Sequence, residues 1–403
     1  MRLDHHARLA RLLERHPDVV EREYHPARPC LLRRDQLLVS AADAGTLADR
    51  AARWVAGQER HDAAGVVQVH LRPEARVEVG ELVADLAGDT RRRRLAVSPN
   101  HLLRGEPNYD GGPADEPQPP RTPPAPPPPP DPAPGRDPVS VAVLDTGLAP
   151  HPWFVGRDWY PPDPGTAEVL DANLDYRLDA QAGHGTFIAG VMLRGAPQAR
   201  LLIRRVLGSD GVCDELALLR TLAGLHRHDG GGPDVVNLSL GGYTWDDRPS
   251  PLLAAALARF GRQTVFVAAA GNNASDRPFW PAALKSVVAV AALDRDGVEA
   301  ATFTNYGWWV DACAVGELVT SSFVCFDGPQ AAQPPTTDVD PDLFHGYATW
   351  SGTSFAAPVV AAAIAARAAA DGVPAATAAD RVLDPHGRIL PDLGVVVTAG
   401  HPS

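Results

Sequence analysis

Cysteine is scarce in this 403-residue sequence: Cys30, Cys213, Cys313 and Cys325 are scattered and lack metal-ligand spacing. Cys313 and Cys325 lie near enough in sequence to meet, but nothing requires that they pair. Excess positive charge is also missing. The formal net charge is −12, which disfavours nonspecific binding to nucleic acid or anionic membrane. Arg91-Arg92-Arg93-Arg94 is the one dense basic cluster; without interleaved aromatics it reads as a solvated loop. The opening MRLDHHARLARLLERHPD has no apolar core of the kind a signal peptide carries. The Ala-rich run over 359–370 is short for a membrane span and contains Arg367. These absences predict a cytoplasmic protein with reduced thiols, without nucleic-acid or membrane partners.

Proline, by contrast, is abundant, and it divides the chain. Residues 113–138 are dominated by it, with Pro126 to Pro130 uninterrupted. Such a segment is predicted to be an extended, semi-rigid linker with no place in helix or sheet ladder. It separates an N-terminal region, 1–112, from a larger one, 139–403. In the larger region apolar strand patterns at 139–145, 200–207, 234–240, 264–270 and 286–293 alternate with helical ones. The helices fall near 185–193, 213–227, 250–260 and 354–370. That alternation predicts an α/β fold, a mostly parallel sheet with helices on both faces, whose site lies beyond the carboxyl ends of the strands. The segment 326–346, rich in Pro, Asp and Gln, reads as a surface insertion. In the first region, strands at 36–40, 65–71 and from 95, with helices at 45–57 and 78–88, give a β-α-β-α-β order. That order fits a small ferredoxin-like α+β domain.

Three short segments carry chemistry. Gly352-Thr353-Ser354-Phe355-Ala356-Ala357-Pro358 sets a serine before an Ala-rich helix, with Pro358 expected in its first turn. Backbone N–H groups at a helix N-terminus stabilise negative charge, as a nucleophile creating an oxyanion requires. Val141-Ala142-Val143-Leu144-Asp145-Thr146-Gly147 reads as a buried strand delivering a carboxylate. Gly183-His184-Gly185-Thr186 opens a helix with a histidine between glycines, which let other backbone come close. Singly, each has a plain reading: an N-cap serine, a turn aspartate, a structural histidine. Asp-Thr-Gly also marks aspartic proteases, but those need two such carboxylates and the chain has one. Together, the order Asp, His, Ser is that of subtilisin.

On these motifs the chain resembles the subtilisin-like serine proteases, the subtilase or S8 family. Two further segments match: Ala268-Ala269-Ala270-Gly271-Asn272, and Asn237-Leu238-Ser239-Leu240-Gly241-Gly242. The resemblance covers roughly residues 138–398 and departs at Phe187, where many members have a second histidine. It implies a subtilisin-like fold and a serine endopeptidase working through an acyl-enzyme. Asp145, His184 and Ser354 would be catalytic, Asn272 would be the oxyanion donor, and Ser239, Leu240 and Gly241 would be the substrate-binding strand. It implies protein or peptide substrates and no required cofactor. Members often carry structural calcium, but the chain has no EF-hand-like run to which a site would be assigned. The N-terminal domain resembles the family's inhibitory propeptides, ending in a similar Pro99-Asn100-His101 segment. It would act as an intramolecular inhibitor, released by cleavage between about Leu103 and Asp137. Two other readings stand beside general proteolysis: a dedicated intracellular processing protease or peptide ligase for one partner, and a non-catalytic binding module on a protease scaffold.

Overall fold

The computed structural model describes residues 5–88, 94–105, 116–130, 137–161, 163–174, 177–228, 232–328 and 343–398. The N-terminal region runs α1 (His5–Arg15), β1 (Val19–Glu23), β2 (Pro29–Ser40), α2 (Ala44–Ala51), β3 (Val55–His61), β4 (Val66–Leu71), α3 (Val79–Gly88) and β5 (Val97–Gly105). β2 lies between β4 and β5, β3 pairs with β4, and β1 with β2, all antiparallel. Alternate residues such as Leu37, Val39, Val67 and Val69 meet Leu47, Leu82 and Val83 of the helices in one core, as a sheet with one covered face requires. The helix expected over 45–57 stops at Ala51. Residues from Val55 instead join β4 across a turn in which Gly65 takes φ +71°, because Trp54-Val55 suit a pleated surface better than a helix. The Arg91–Arg93 part of the basic run lies outside the described residues.

The second region begins with β6 (Ser140–Asp145), α4 (His184–Gly195), β7 (Arg200–Arg205), β8 (Val212–Asp214), α5 (Glu215–His228), β9 (Val235–Leu238), β10 (Leu240–Gly241) and α6 (Pro251–Ala258). It continues through β11 (Val265–Ala269), β12 (Val287–Leu293), β13 (Ala312–Val315), β14 (Val319–Asp327), β15 (Leu343–Trp350), α7 (Thr353–Asp371), α8 (Ala375–Val382), β16 (Ile389–Leu390) and β17 (Gly394–Val396). The main sheet has the order β16-β17-β13-β12-β11-β9-β6-β7. Every neighbouring pair is parallel except β16 with β17. Its central strands are buried without alternation because helices cover both faces. α4 and α7 fill one side, α5 and α6 the other. α7 is apolar and long enough to span a bilayer by composition, yet two-thirds of its apolar stretch is buried in this core.

Three expectations are corrected. Pro358 is not in the first turn of α7, which starts at Thr353; it lies one turn further in, where its missing N–H leaves the carbonyl of Ser354 without a helical donor. The ends of the supposed insertion 326–346 belong to a hairpin, with β14 paired to β15 from Val319↔Trp350 to Asp327↔Leu343; residues 329–342 fall outside the described ones. The Pro-rich linker does join a ladder at one point, where Gln118 and Thr349 exchange both backbone hydrogen bonds, 2.9 and 2.8 Å.

Most consequential is where β5 goes. Its last residues leave the N-terminal sheet and run between two strands of the larger region. Leu102, Leu103 and Arg104 pair with Asp214, Cys213 and Val212 on one side, and Arg104 and Gly105 with Gly241 and Leu240 on the other.

Candidate active site

Asp145 is the last residue of β6, buried like the strand that carries it. His184 is the first residue of α4, entered through Gly183 at φ +86°. Gly185 decides how closely the two elements approach: a Cβ there would lie 2.3 Å from the Gly147 carbonyl and 3.2 Å from Asp145 Cβ. With no Cβ present, His184 Nδ1–H donates to Asp145 Oδ1 at 2.8 Å, and Oδ1 also accepts from Thr146 N at 2.8 Å. Asp145 Oδ2 is buried without a hydrogen-bond partner. The imidazole meets Trp350 edge-on at 5.5 Å and tilts against Phe355 at 5.4 Å, which fixes its plane. Phe187 is fully buried and packs 4.4 Å from Phe355, a purely packing role at the position where the sequence departs from the common pattern.

Ser354 is the second residue of α7, among the helix N–H groups that have no internal acceptor. Its carbonyl, orphaned by Pro358, accepts from Ser239 Oγ at 2.8 Å, and its hydroxyl donates to the Ser239 carbonyl at 3.2 Å. Ser239, between β9 and β10, is thereby locked to the serine. Asn272 follows the end of β11. Its Oδ1 accepts from Thr353 N at 2.9 Å, so its amide orientation is set. Its Nδ2 is buried with no partner, a donor held ready beside Ser354. The sequence-selected residues thus gather at the carboxyl ends of β6, β9 and β11. Leu240 and Gly241, selected as a substrate strand, are occupied by β5 of the same chain.

Three residues that sequence reasoning missed hold this arrangement. Asn305 is wholly buried and pins the Asn272 loop: Oδ1 accepts from Asn273 N and Ser275 N at 3.0 and 3.1 Å, and Nδ2 donates to the Ala270 carbonyl at 2.8 Å. Thr186 accepts from Ala149 N at 2.8 Å and donates to Glu168 Oε2 at 3.0 Å. Glu168, in an irregular loop, brings a second carboxyl behind Asp145, with the Thr146 hydroxyl between them; burial, and then the Asp145 charge, push it up to about 7 despite its hydrogen bonds. No local pattern marks Glu168 or Asn305, since each acts on residues far away in the chain. Among the described residues no group of three or more His, Cys, Asp or Glu could hold a metal ion. All four cysteines are free thiols.

The model of the subtilase family matches residues 136–382. Subtilisin BL of Lederbergia lenta is 34% identical over 237 residues, covering 56% of this chain and 75% of that protein. Thermitase of Thermoactinomyces vulgaris is 30% identical over 232 residues, 55% of this chain and 71% of that protein. Among solved structures, the prenylagaramide maturation protease PagA is similar at 23% identity with a TM-score of 0.48, over 65% of this chain and 91% of that one.

Proposed function

Since the chain belongs to the subtilase family and is a serine-type endopeptidase, we propose that Asp145, His184 and Ser354 are its catalytic triad and Asn272 its oxyanion donor. Serine hydroxyl is a weak nucleophile and needs a base. His184 takes the Ser354 proton and later returns it to the leaving amine, while Asp145 holds Nδ1 protonated and stabilises the imidazolium. The tetrahedral oxyanion is received by Asn272 Nδ2 and the Ser354 N–H. The Asp145–His184 hydrogen bond of 2.8 Å carries this reading.

The β5 register indicates how a substrate would be held. Gly105 N donates to the Gly211 carbonyl at 2.7 Å, so in an antiparallel ladder the next residue of a bound chain points its N–H the opposite way, at Ser239. That N–H would claim the Ser239 carbonyl and free the Ser354 hydroxyl to turn toward His184. The substrate is an extended peptide added as a strand between β8 and β10.

The N-terminal region is then an inhibitor in cis. Its β5 fills the strand site at the high effective concentration a tether provides. Around it, three arginines of this region meet carboxylates of the larger one, Arg15 with Asp179 at 2.7 Å, Arg33 with Asp214 at 3.1 Å, and Arg28 with Asp247, and two histidines contact carboxylates, His16 with Asp210 at 2.6 Å and His101 with Glu215 at 3.3 Å. Within the stretch from Leu103 to Asp137, where the resemblance places release, residues 106–115 and 131–136 lie outside the described residues. A fluorophosphonate probe and intact mass spectrometry test both parts. Ser354 is expected to be labelled, and Ser354→Ala to be neither labelled nor shortened on incubation. Loss of the triad reading follows if wild type resists the probe even after the N-terminal region has been removed. If wild type stays full length and added fragment 1–112 leaves activity unchanged, the inhibitor reading is wrong. Cleavage of a random peptide library distinguishes broad digestion from a single dedicated substrate.

A further inference from the structure

Gln181 precedes the catalytic helix and is almost wholly buried, 1% exposed. Its backbone N–H bonds to the Ser209 carbonyl at 2.9 Å, and its stem lies on Gly211, where a Cβ would be 2.3 Å from Gln181 Cγ. The side chain is therefore held rigidly, yet its Oε1 has no hydrogen-bond partner. A buried amide oxygen left without a donor is costly, and this one faces the strand site. A Cβ built on Gly105 would lie 3.5 Å from Gln181 Oε1, 3.0 Å from Leu207 Cδ1 and 3.7 Å from the Gly211 carbonyl.

These distances describe a subsite with room for a little more than glycine. Leu207 Cδ1, the far end of a flexible side chain, must yield a few tenths of an ångström for any Cβ. A longer or β-branched side chain meets both Leu207 and the Gln181 stem. A hydroxyl on that Cβ, however, reaches hydrogen-bond distance of Oε1, since a C–O bond followed by an O–H···O contact spans about 3.5 Å from carbon to acceptor. Serine also suits either orientation of the amide, because a hydroxyl both donates and accepts. The position is fixed relative to the chemistry. Gly105 pairs with Leu240, so the following residue of a bound chain sits opposite Ser239, whose carbonyl holds the Ser354 hydroxyl.

We infer that Gln181 is a specificity-determining residue, and that the protein selects substrates with serine as the second residue before the cleaved bond. This rests on the proteolytic reading above for its consequence, but not for its geometry. The chain's own Gly105 leaves Oε1 unsatisfied, as befits a segment that occupies the site without being the best substrate for it.

The decisive experiment is a double-mutant cycle on the full chain, carried on Ser354→Ala so that self-cleavage cannot intervene. Gly105→Ser is expected to melt about 1–3 °C above Gly105→Ala, and Gln181→Leu to abolish that gap. Both substitutions restrict the unfolded chain alike and displace Leu207 alike, so the difference isolates the hydroxyl. Equal melting temperatures, or a gap that survives Gln181→Leu, overturn the inference whatever the activity. In the second arm, peptides differing only in Ser or Ala at that position are compared by kcat/KM. Wild type should favour Ser by about 3- to 10-fold, and Gln181→Leu should bring the ratio near one. A wild-type ratio of one overturns the selection. If no peptide is cleaved, the proteolytic reading fails and the cycle still decides the subsite.

Discussion

In the proposed mechanism, Asn272 is a side chain prepared for a task it would perform only during reaction. Its oxygen is spent on Thr353 N and its amide nitrogen is buried and unpaired. Removing the corresponding donor in subtilisin, a relative, costs about 10²–10³ in turnover; Asn272→Leu is expected to match that loss in kcat with little change in KM, measured on the activated enzyme. Glu168 gives a second expectation, in stability rather than rate. Its carboxyl, raised by burial and Asp145 to about 7, keeps its proton in the folded state at pH values where the unfolded chain has lost it. The folded state then binds more protons, so stability is full below the ordinary glutamate range and falls as pH rises toward and through 7. His151, lowered by burial to about 4, acts in the opposite sense: the unfolded chain takes up its proton first, so stability falls as pH drops below the ordinary histidine range. The difference between wild type and Glu168→Gln removes the His151 contribution. Denaturant unfolding from pH 5 to 8.5 should show Glu168→Gln gaining on wild type as pH rises; parallel curves would refute this.

Helix α4 is held by contacts that its own sequence does not announce. Ser321 and Ser322 of β14 donate to the carbonyls of Phe187 and Thr186, both at 2.8 Å. Gly190 lies beneath them, and a Cβ there would stand 2.2 Å from Ser322 Oγ and 2.4 Å from Ser321 Oγ. In an exposed helix, glycine to alanine stabilises by about 1 kcal/mol. Here the sign reverses: Gly190→Ala should destabilise by about 1–3 kcal/mol through overpacking, read by chemical denaturation. Unchanged stability would mean that the hairpin is not what braces the helix. The same element also marks a limit of local reading. The helix pattern over 185–193 matches α4 closely because its apolar period is complete within the segment. Only the first three residues of β3, 55–57, fall within the segment 45–57 expected to be helix, and they pair instead because β4 supplies what their own sequence lacks.

Taken whole, the molecule is two layered regions joined through one shared strand. β5 belongs to the N-terminal sheet through β2 and to the strand site through β8 and β10. Leu103, 4% exposed, is buried in the core of the larger region. If β5 is inhibitory, Leu103→Asp should raise peptide hydrolysis by the full-length chain, by roughly tenfold or more, because a buried unpaired charge weakens the docked strand. A fall in activity, with the protein still folded by circular dichroism, would instead make β5 part of the working enzyme. The ion pairs around the strand predict that raising salt acts in the same direction as Leu103→Asp, but weakly.

Asn272 was legible only through the resemblance of its segment to the subtilases; the parallel sheet, its flanking helices and the candidates Asp145, His184 and Ser354 were legible in the amino-acid order itself. Each is announced by a local signal: an apolar run ending in a carboxylate, glycines beside an imidazole, a serine before a helix. What only the tertiary structure decided are the partners. Glu168 behind Asp145, Asn305 under the oxyanion loop, Ser239 capping the carbonyl that Pro358 orphans, and Gln181 over Gly105 all act across long sequence separations. Hydrogen bonds and close packing depend on where backbones arrive in space, and no spacing along the chain encodes that meeting.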